Sequence, residues 1–310
     1  MAIYLGIDGG GSKTSCWIGD ENSVIGQGRA EGSNIIRVGE AKARQALLRA
    51  IELACNDAKI IPDEINHTCV GLAGAARPEV SAAVRRILGE VLNSRLDVVG
   101  DMVIALEAAF GGEPGVVVIA GTGSIAYGRD AHDQTVRVGG WGPVVSDEGS
   151  AYWIGKAAVA AALRGFDEGQ QTLLLDAVMK PWQVETHAQI VMTANASPAP
   201  DFAGLCTAVC LAADLGDGTA RRVLARAGEE LGALGKIVVR RLFDGKSNVQ
   251  IGMAGSVFVH SHIVREAFRD TVKDAYPDAN IQAAVAEPVS GALALARKNA
   301  QRKSGKGAAR

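Results

Sequence analysis

The chain has 310 residues, of which 48% are hydrophobic and 21% charged, with a formal net charge of -2. This length exceeds that of a typical single domain and predicts two domains, and the low net charge excludes general binding of polyanions such as nucleic acids. The sequence enters an apolar strand pattern at once and has no apolar run long enough to cross a membrane, so we expect a cytoplasmic protein. Its five cysteines are expected to be reduced thiols.

The first part of the chain reads as a strand meander followed by alternating helices and strands. Apolar runs bounded by polar or glycine turns predict three strands, at 3–7, 14–18 and 24–28. Helical spacing and buried-strand patterns then predict a helix at 40–59, a strand at 68–72, a helix at 78–93, a strand at 96–99 and a helix at 102–110.

The same plan starts again at residue 116. Strands are predicted at 116–119, 125–128 and 136–138, a mainly helical region at 150–240, a strand at 249–253, a helix from 257 and a last helix at 288–299. This repeat predicts two duplicated α/β domains that face each other, with boundaries at 1–115 and 116–287, the second carrying a helical insertion. The basic residues at 300–310 are expected to form a solvated, disordered tail.

Three glycine turns are candidates for phosphate binding, because glycine lets the backbone approach a ligand closely and its N–H groups can contact phosphate oxygens. The first is not a Walker A loop, since Ser12 separates the glycines from Lys13 and a strand follows. Ordinary hairpin turns and a common αβ connection are the alternatives. The three turns consist of Gly9, Gly10, Gly11, Ser12, Lys13 and Thr14; of Gly121, Thr122, Gly123 and Ser124; and of Gly255 and Ser256.

Two acids, Asp8 and Asp101, stand at the ends of apolar strands in the first half. Open α/β sheets place ligand sites at the carboxyl ends of their strands. One acid could hold hydrated Mg²⁺ near the β- and γ-phosphates of a nucleotide, while the other accepts the proton of an attacking hydroxyl. The alternative for Asp101 is that it caps the helix beginning at Met102.

The glycine-rich stretch at 139–150 combines Trp141 with the acids Asp147 and Glu148. Carboxylates for hydroxyls and an apolar face for the ring are typical of sugar pockets, whereas acids in the first turn of a helix are the alternative. The two close pairs of metal-binding residue types, Cys206 with Cys210 and His260 with His262, lack further ligands nearby, so packing is the preferred interpretation.

These motifs together resemble the N-acetylglucosamine kinase branch of the BadF/BadG/BcrA/BcrD-type ATPase superfamily, over nearly the whole chain. Any one of them is weak, but the ordered set is specific. The resemblance rests on the segments Ile7 to Thr14, Gly32-Ser33-Asn34, Gly100-Asp101, Gly121 to Ser124, Gly139 to Gly142, Asp147 to Gly155 and Ala254-Gly255-Ser256.

The resemblance implies an α/β fold of two duplicated ribonuclease H-like (actin-like ATPase) domains around a central cleft, with the last helix packed on the first domain. It also implies that the three glycine turns hold ATP, with Asp8 on Mg²⁺ through water. Asp101 is the implied base for the sugar 6-hydroxyl. The implied sugar-binding residues are Asn34, Asp101, Gly140, Trp141 and Asp147.

The implied activity is transfer of the γ-phosphoryl group of ATP to the 6-hydroxyl of an amino sugar, N-acetylglucosamine first and glucosamine as the alternative. A small-molecule partner, a homodimer and no nucleic-acid or membrane partner are implied with it. The competing class is an ATP-dependent activase or a regulatory sugar-binding ATPase. Activases of the superfamily bridge subunits through a cysteine in a glycine-rich surface loop, a pattern that no cysteine of this sequence has.

Overall fold

A computed structural model describes residues 2–245 and 248–307 of the chain. Its strands are β1 Ile3–Gly9, β2 Lys13–Gly19, β3 Val24–Glu31, β4 Ile65–Leu72, β5 Arg95–Gly100, β6 Gly115–Ala120, β7 Ser124–Arg129, β8 Thr135–Gly139, β9 Gln250–Ala254 and β10 Asn280–Ala286. Its helices are α1 Ile35–Val38, α2 Glu40–Ala58, α3 Pro78–Leu88, α4 Asp101–Phe110, α5 Ala151–Asp167, α6 Leu174–Trp182, α7 His187–Ala194, α8 Cys206–Asp214, α9 Gly218–Leu242, α10 Ser256–His260, α11 His262–Ala275 and α12 Pro288–Gly307.

Contacts divide the chain into two compact units. Unit 1 consists of Met1–Val117 and Ala286–Arg310, and unit 2 consists of Val118–Val285. The division therefore falls inside β6, and unit 2 is a single continuous stretch of chain between the two parts of unit 1. No helix in the described part of the chain has the length and apolarity that a membrane span needs.

Unit 1 is built on a five-stranded sheet in the order β3-β2-β1-β4-β5. The first three strands pair antiparallel, whereas β1, β4 and β5 run parallel. In the parallel part Gly9 lies opposite Leu72, and Leu72 lies opposite Gly100. The carboxyl ends of these three strands are thus level with one another, and they form the sheet edge on which Asp8 and Asp101 stand.

Helices cover both faces of this sheet. On one face, α2 buries a stripe at helical spacing that includes Leu47, Ile51 and Ala54, which packs with Leu5 and Ile7 of β1. Fully burying a leucine or isoleucine side chain is worth about 1.5–3 kcal/mol, so this stripe explains why α2 docks on the sheet. The other face of the sheet is covered by α4 and α12, whose core members are Ile104, Ala292, Leu293 and Ala296 with Tyr4 and Cys69.

The backbone of helix α12 packs closely against the backbones of β1 and α4, within unit 1. A Cβ atom on Gly6 of β1 would stand 2.3 Å from the Leu293 nitrogen, and one on Gly291 would stand 2.0 Å from the Ile104 carbonyl oxygen. The helix also extends further than the sequence predicts: it continues past 299 to Gly307, where a disordered tail at 300–310 was expected. Residues 308–310 lie outside the described residues.

Unit 2 repeats the topology of unit 1. Its sheet has the order β10-β9-β6-β7-β8, so in each unit the first strand is central, the second and third lie to one side, and the fourth and fifth to the other. This repeated order confirms the duplicated α/β fold that the sequence predicts. The hairpin of β7 and β8 pairs antiparallel, and β10 is an edge strand that the sequence analysis did not predict.

The helices of unit 2 pack through small residues. Helix α9 lies against α11, where a Cβ atom on Gly228 would stand 2.5 Å from the Val264 carbonyl oxygen. Helices α6 and α7 pack with α5 around a separate apolar cluster. The buried members of that cluster are Val159, Val178, Ile190, Phe202 and Leu205.

Candidate active site

The first glycine turn joins β1 to β2 and is closed by its own backbone. The Gly10 N–H donates to the Lys13 carbonyl at 3.0 Å, and the Gly10 carbonyl accepts from the N–H groups of Ser33 and Asn34 at 3.1 and 3.2 Å. The turn and the loop after β3 are therefore bonded into one surface. The sequence places Asn34 and the glycine turn in separate motifs, and the fold brings them together.

Thr14 and Gly32 hold that loop in place. The Thr14 hydroxyl is fully buried, 2.7 Å from the Glu31 carbonyl and 2.8 Å from the Ser33 hydroxyl. A Cβ atom on Gly32 would stand 2.3 Å from the Gly11 carbonyl oxygen, so only glycine allows this approach. Asn34 then forms the N-cap of α1. Its Oδ1 accepts from the N–H groups of Ile36 and Arg37, at 3.1 and 3.3 Å.

The charges of Asp8 and Asp101 interact at the carboxyl ends of the parallel strands. Asp8 stands near the end of β1 and Asp101 directly follows β5, and only β4 separates these two strands. Burial, the larger cause, and the negative charge of Asp101 together raise the pKa of Asp8 to about 7, although Lys13 opposes the rise. Two half-buried carboxylates that repel each other beside a glycine turn indicate a functional site rather than a structural pair.

Asp101 is also raised in pKa by burial, although backbone N–H groups oppose the shift. It is the first residue of α4, whose N-cap is Gly100. One carboxylate oxygen, Oδ1, accepts from the Met102 N–H at 3.0 Å. The carboxylate therefore does satisfy one N–H of the first turn, as the capping alternative requires, but through a single oxygen.

The carboxylates of unit 1 fit a magnesium ion held mainly by other ligands. Mg²⁺ takes oxygen donors and is usually bound through one or two carboxylates together with phosphates and waters. Asp8 offers a half-buried carboxylate whose pKa is raised mainly by burial and also by the negative charge of Asp101, and a bound dication would favour its ionised form. Among the residues that the structure describes, no three metal-binding side chains gather closely enough to hold an ion by themselves.

The second and third glycine turns lie together in unit 2. The Gly121 N–H donates to the Gly123 carbonyl at 2.9 Å, and the Gly121 carbonyl accepts from the Ala151 N–H at the start of α5. Gly255, between β9 and α10, has φ +98 and lies so close to β6 that a Cβ atom there would stand 2.3 Å from the Ala120 carbonyl oxygen. The second and third glycine turns thus follow the neighbouring strands β6 and β9, and Ser256 completes the third turn.

Asp147 lies directly on the second glycine turn. Its side chain is buried, and its Oδ2 is 2.7 Å from the position that a Cβ atom on Gly123 would take. Burial raises its pKa, while the N–H groups of Gly142 and Ser124 oppose the rise. Its backbone is left-handed, with φ +66. This conformation is uncommon for residues other than glycine, although aspartate adopts it more readily than most.

The loop at 139–142 presents Trp141 on the surface. Gly139, Gly140 and Gly142 all have left-handed φ angles, which sets the path of this loop, and the indole of Trp141 is 71% exposed. One face of the ring is covered by the Arg137 guanidinium, 4.2 Å from the ring centroid. The other face remains available as a platform of the kind that sugars use.

Some structural roles in the site have no signal in the sequence motifs. The Ser124 hydroxyl donates to the Glu148 carbonyl at 2.7 Å, and Ser150 caps α5 by accepting from the Trp153 N–H at 3.2 Å. These two bonds fix both ends of the segment that carries Asp147. Their polar residue types, next to a glycine turn and before an apolar helix, are the only clue that the sequence offers.

The duplicated fold, with glycine turns between paired strands in both units, defines an actin-like ATPase architecture. The chain belongs to the BadF/BadG/BcrA/BcrD ATPase family, whose model matches residues 5–296. The resemblance inferred from the sequence motifs is thereby confirmed.

Similar proteins span nearly the whole chain. An N-acetylmuramic acid/N-acetylglucosamine kinase of Clostridium acetobutylicum is 31% identical over 96% of this chain and 99% of its own. An N-acetyl-D-glucosamine kinase of Dictyostelium discoideum is 29% identical over 95% of this chain and 97% of its own. The crystal structure of a candidate N-acetylglucosamine kinase from Chromobacterium violaceum superposes with a TM-score of 0.72 at 24% identity, covering 95% of this chain and 99% of that one.

Proposed function

We propose that the chain transfers the γ-phosphoryl group of ATP to the 6-hydroxyl of N-acetylglucosamine, giving the sugar 6-phosphate and ADP. That it is an ATP-dependent sugar kinase follows from its family and from two full-length relatives that are amino-sugar kinases. The observation that carries the reaction is the pair Asp8 and Asp101, which stand at the carboxyl ends of the parallel strands β1 and β5 and interact electrostatically there, beside the first glycine turn.

Asp101 is the general base in this proposal. Burial raises its pKa, which makes its ionised form a stronger proton acceptor near neutral pH. One carboxylate oxygen is fixed by the Met102 N–H, so the other can accept the proton of the sugar hydroxyl. The hydroxyl oxygen then forms its bond to the γ-phosphorus as the bond to the ADP oxygen breaks.

The remaining residues bind and orient the two substrates. The three glycine turns contact the phosphates of ATP through backbone N–H groups, with Ser12, Lys13, Thr122, Ser124 and Ser256 at their ends. Asp8 would hold Mg²⁺ through water, and the ion would supply positive charge to the phosphates of ATP. Thr14, whose hydroxyl is buried, acts by holding the loop that carries Asn34.

For the sugar, Asn34 and Asp147 supply polar groups and Trp141 supplies an apolar face. Asn34 caps α1 through Oδ1, which leaves its Nδ2 amide to donate to a sugar hydroxyl. Asp147 is held on Gly123 by the N–H groups of Gly142 and Ser124, so its carboxylate is oriented before any ligand arrives. Gly140, at φ +69, gives the loop the turn that presents Trp141.

The test of the base is Asp101→Asn. Asparagine keeps an oxygen for the Met102 N–H but cannot accept the hydroxyl proton, so we expect kcat to fall by about 10² to 10⁴ with the fold intact. The matched control is Glu79→Gln, which neutralises an exposed acid in the first turn of α3 in the same unit and should leave kcat unchanged. Turnover of Asp101→Asn within threefold of the parent would remove Asp101 from the reaction.

The acceptor is identified by ADP release with MgATP and a panel of sugars. The panel contains N-acetylglucosamine, N-acetylmuramic acid, glucosamine, N-acetylmannosamine and glucose, against a blank without sugar. The highest kcat/KM for N-acetylglucosamine supports the proposal. A clear preference for glucosamine replaces the acceptor but retains the kinase.

An activase is the competing class, and the positions of the cysteines argue against it. Cys16, Cys55, Cys69 and Cys210 are buried in strands and helices, and Cys206 is the first residue of α8. A cysteine that bridges two subunits through a metal cluster needs an exposed loop, which none of the five occupies. ATP hydrolysis that no sugar on the panel stimulates would restore this class.

A further inference from the structure

A pocket of about 280 Å³ opens between α5 and α9 in unit 2. Three arginines line it: Arg164 near the end of α5, and Arg222 and Arg226 in the first turns of α9. None of the residues assigned above to ATP or to the sugar takes part in its wall. The name arginine pocket is used below for this space and its three arginines.

Helix spacing explains why the space exists. Besides Arg164, the wall on α5 includes Trp153, Ala157, Ala161 and Gly165, which recur every four residues and so lie along one face of the helix. Three of the four are small, so α5 cannot fill the space in front of it. The facing surface of α9 carries Thr219, Arg222, Val223 and Arg226, again at a spacing of three or four.

The charge of the pocket is positive. Three guanidinium groups share the wall with one carboxylate, that of Glu168, which stands 3.6 Å from Arg164. Arg226 has Glu230 at 3.7 Å, and Arg222 donates to the Thr219 hydroxyl at 2.9 Å rather than to a carboxylate. Pairs this long and this exposed contribute little, so the arginines are available to an anion. The beginning of α9 adds the positive end of a 25-residue helix.

Trp153 gives the pocket an apolar wall beside the charges. Its ring is half-buried, and the Arg226 guanidinium lies over it at 5.7 Å from the centroid. Guanidinium groups match the geometry of phosphate oxygens, and they stack on aromatic rings. A ring next to several guanidinium groups therefore suits a compact ligand that joins a phosphoryl group to an uncharged body.

We propose that the arginine pocket is a second binding site, which takes a small phosphorylated metabolite. The volume is near the lower end of the range for small-molecule sites, about 300–1,000 Å³, which favours a ligand of sugar-phosphate size over a nucleotide. Helix α5 forms the pocket wall and also donates the Ala151 N–H to the Gly121 carbonyl. The proposed ligand thus binds to the helix whose first residue is bonded to the second glycine turn.

The test measures binding by titration calorimetry on the full chain. The probes are N-acetylglucosamine 6-phosphate and inorganic pyrophosphate. Because the proposed active site also binds its own product, the pocket variants decide which binding belongs to the arginine pocket. We expect at least one phosphorylated probe to bind, and the double change Arg222→Gln and Arg226→Gln to raise its Kd at least about tenfold, which is about 1.4 kcal/mol. Because these arginines lie outside the catalytic machinery, kcat and KM measured without a probe should not change.

Arg240→Gln is the matched control, since it removes an exposed charge from the same helix outside the pocket. It should leave the Kd unchanged. Ala161→Phe is a second variant that fills the space and keeps every charge, and it should also abolish binding. The proposal is overturned if neither probe binds, if both pocket variants bind as the parent does, or if Arg240→Gln weakens binding as much as they do. Which of the two probes binds then distinguishes a sugar phosphate from a polyphosphate.

Discussion

Replacing Gly32 by alanine should disturb the candidate site through the backbone alone. The added Cβ would stand 2.3 Å from the Gly11 carbonyl oxygen and 2.7 Å from its carbon. Real Cβ contacts stay above 3.0 Å, so the loop after β3 must move by at least about 0.7 Å. That shift strains the two bonds that the Gly10 carbonyl accepts, at 3.1 and 3.2 Å, and it moves Asn34.

The expected cost combines two effects. Overpacking of a tight contact costs about 1–3 kcal/mol, and weakening hydrogen bonds worth about 1 kcal/mol each adds to it, so we expect a loss of about 2–4 kcal/mol. Thermal unfolding should then occur about 5–15 °C lower. Because Asn34 moves, the KM for N-acetylglucosamine should rise more than the KM for ATP.

The assays are thermal unfolding followed by circular dichroism, and initial rates with each substrate varied in turn. Gly218→Ala is the control, because its Cβ would meet only the flexible end of Arg222 at 3.6 Å, and it should unfold within 2 °C of the parent. The reasoning is refuted if Gly32→Ala unfolds with the control and keeps the sugar KM of the parent.

Two further predictions concern pH and the exposed tryptophan. The pKa of Asp8 is raised from 3.8 to about 7 in the folded chain, so the folded state binds its proton more tightly, and the stability contributed by this group falls as pH rises from about 4 to 7. Asp8→Asn removes that loss: without nucleotide or Mg²⁺, its unfolding temperature relative to the parent should increase from pH 4 to pH 8, and a constant difference would contradict the shifted pKa. Trp141→Ala should change stability by less than about 0.5 kcal/mol, because the side chain is 71% exposed. It should raise the sugar KM about tenfold, while the control Val144→Ala in the same loop leaves the sugar KM unchanged. Equal KM values for the two variants would exclude Trp141 as the sugar platform.

The sequence predicts the strands of the two sheets well where they are apolar and bounded by turns. The centre of unit 1 is such a case: the apolar residues Ile3 to Ile7 predict most of β1, and the segment Thr68 to Leu72 predicts the last part of β4. The sequence does not predict strand β10. Asn280–Ala286 lies at a sheet edge, is half-buried or exposed throughout, and contains residues with little strand preference. The sequence does not predict helix α1 either, because four residues are too few to show a helical period.

The site was predictable as a set of motifs but not as a set of contacts. That acids and glycines stand at strand ends is visible in the order of residues. That Asp147 lies on Gly123, or that Gly255 lies on the end of β6 at Ala120, depends on packing between segments far apart in sequence. The arginine pocket has no motif at all, since it arises from small residues on α5 that meet arginines of α9 only after folding.

The path of the chain imposes an order on its own folding. Unit 2 is one continuous stretch, so all its strands and helices are available once residue 285 has been synthesised. Unit 1 is different, because the sheet face that carries Tyr4 and Cys69 is only partly covered until Leu293 and Ala296 of α12 arrive. The part of the enzyme made first on the ribosome is therefore completed last, and the carboxylate pair proposed to act in phosphoryl transfer belongs to that late-completed part.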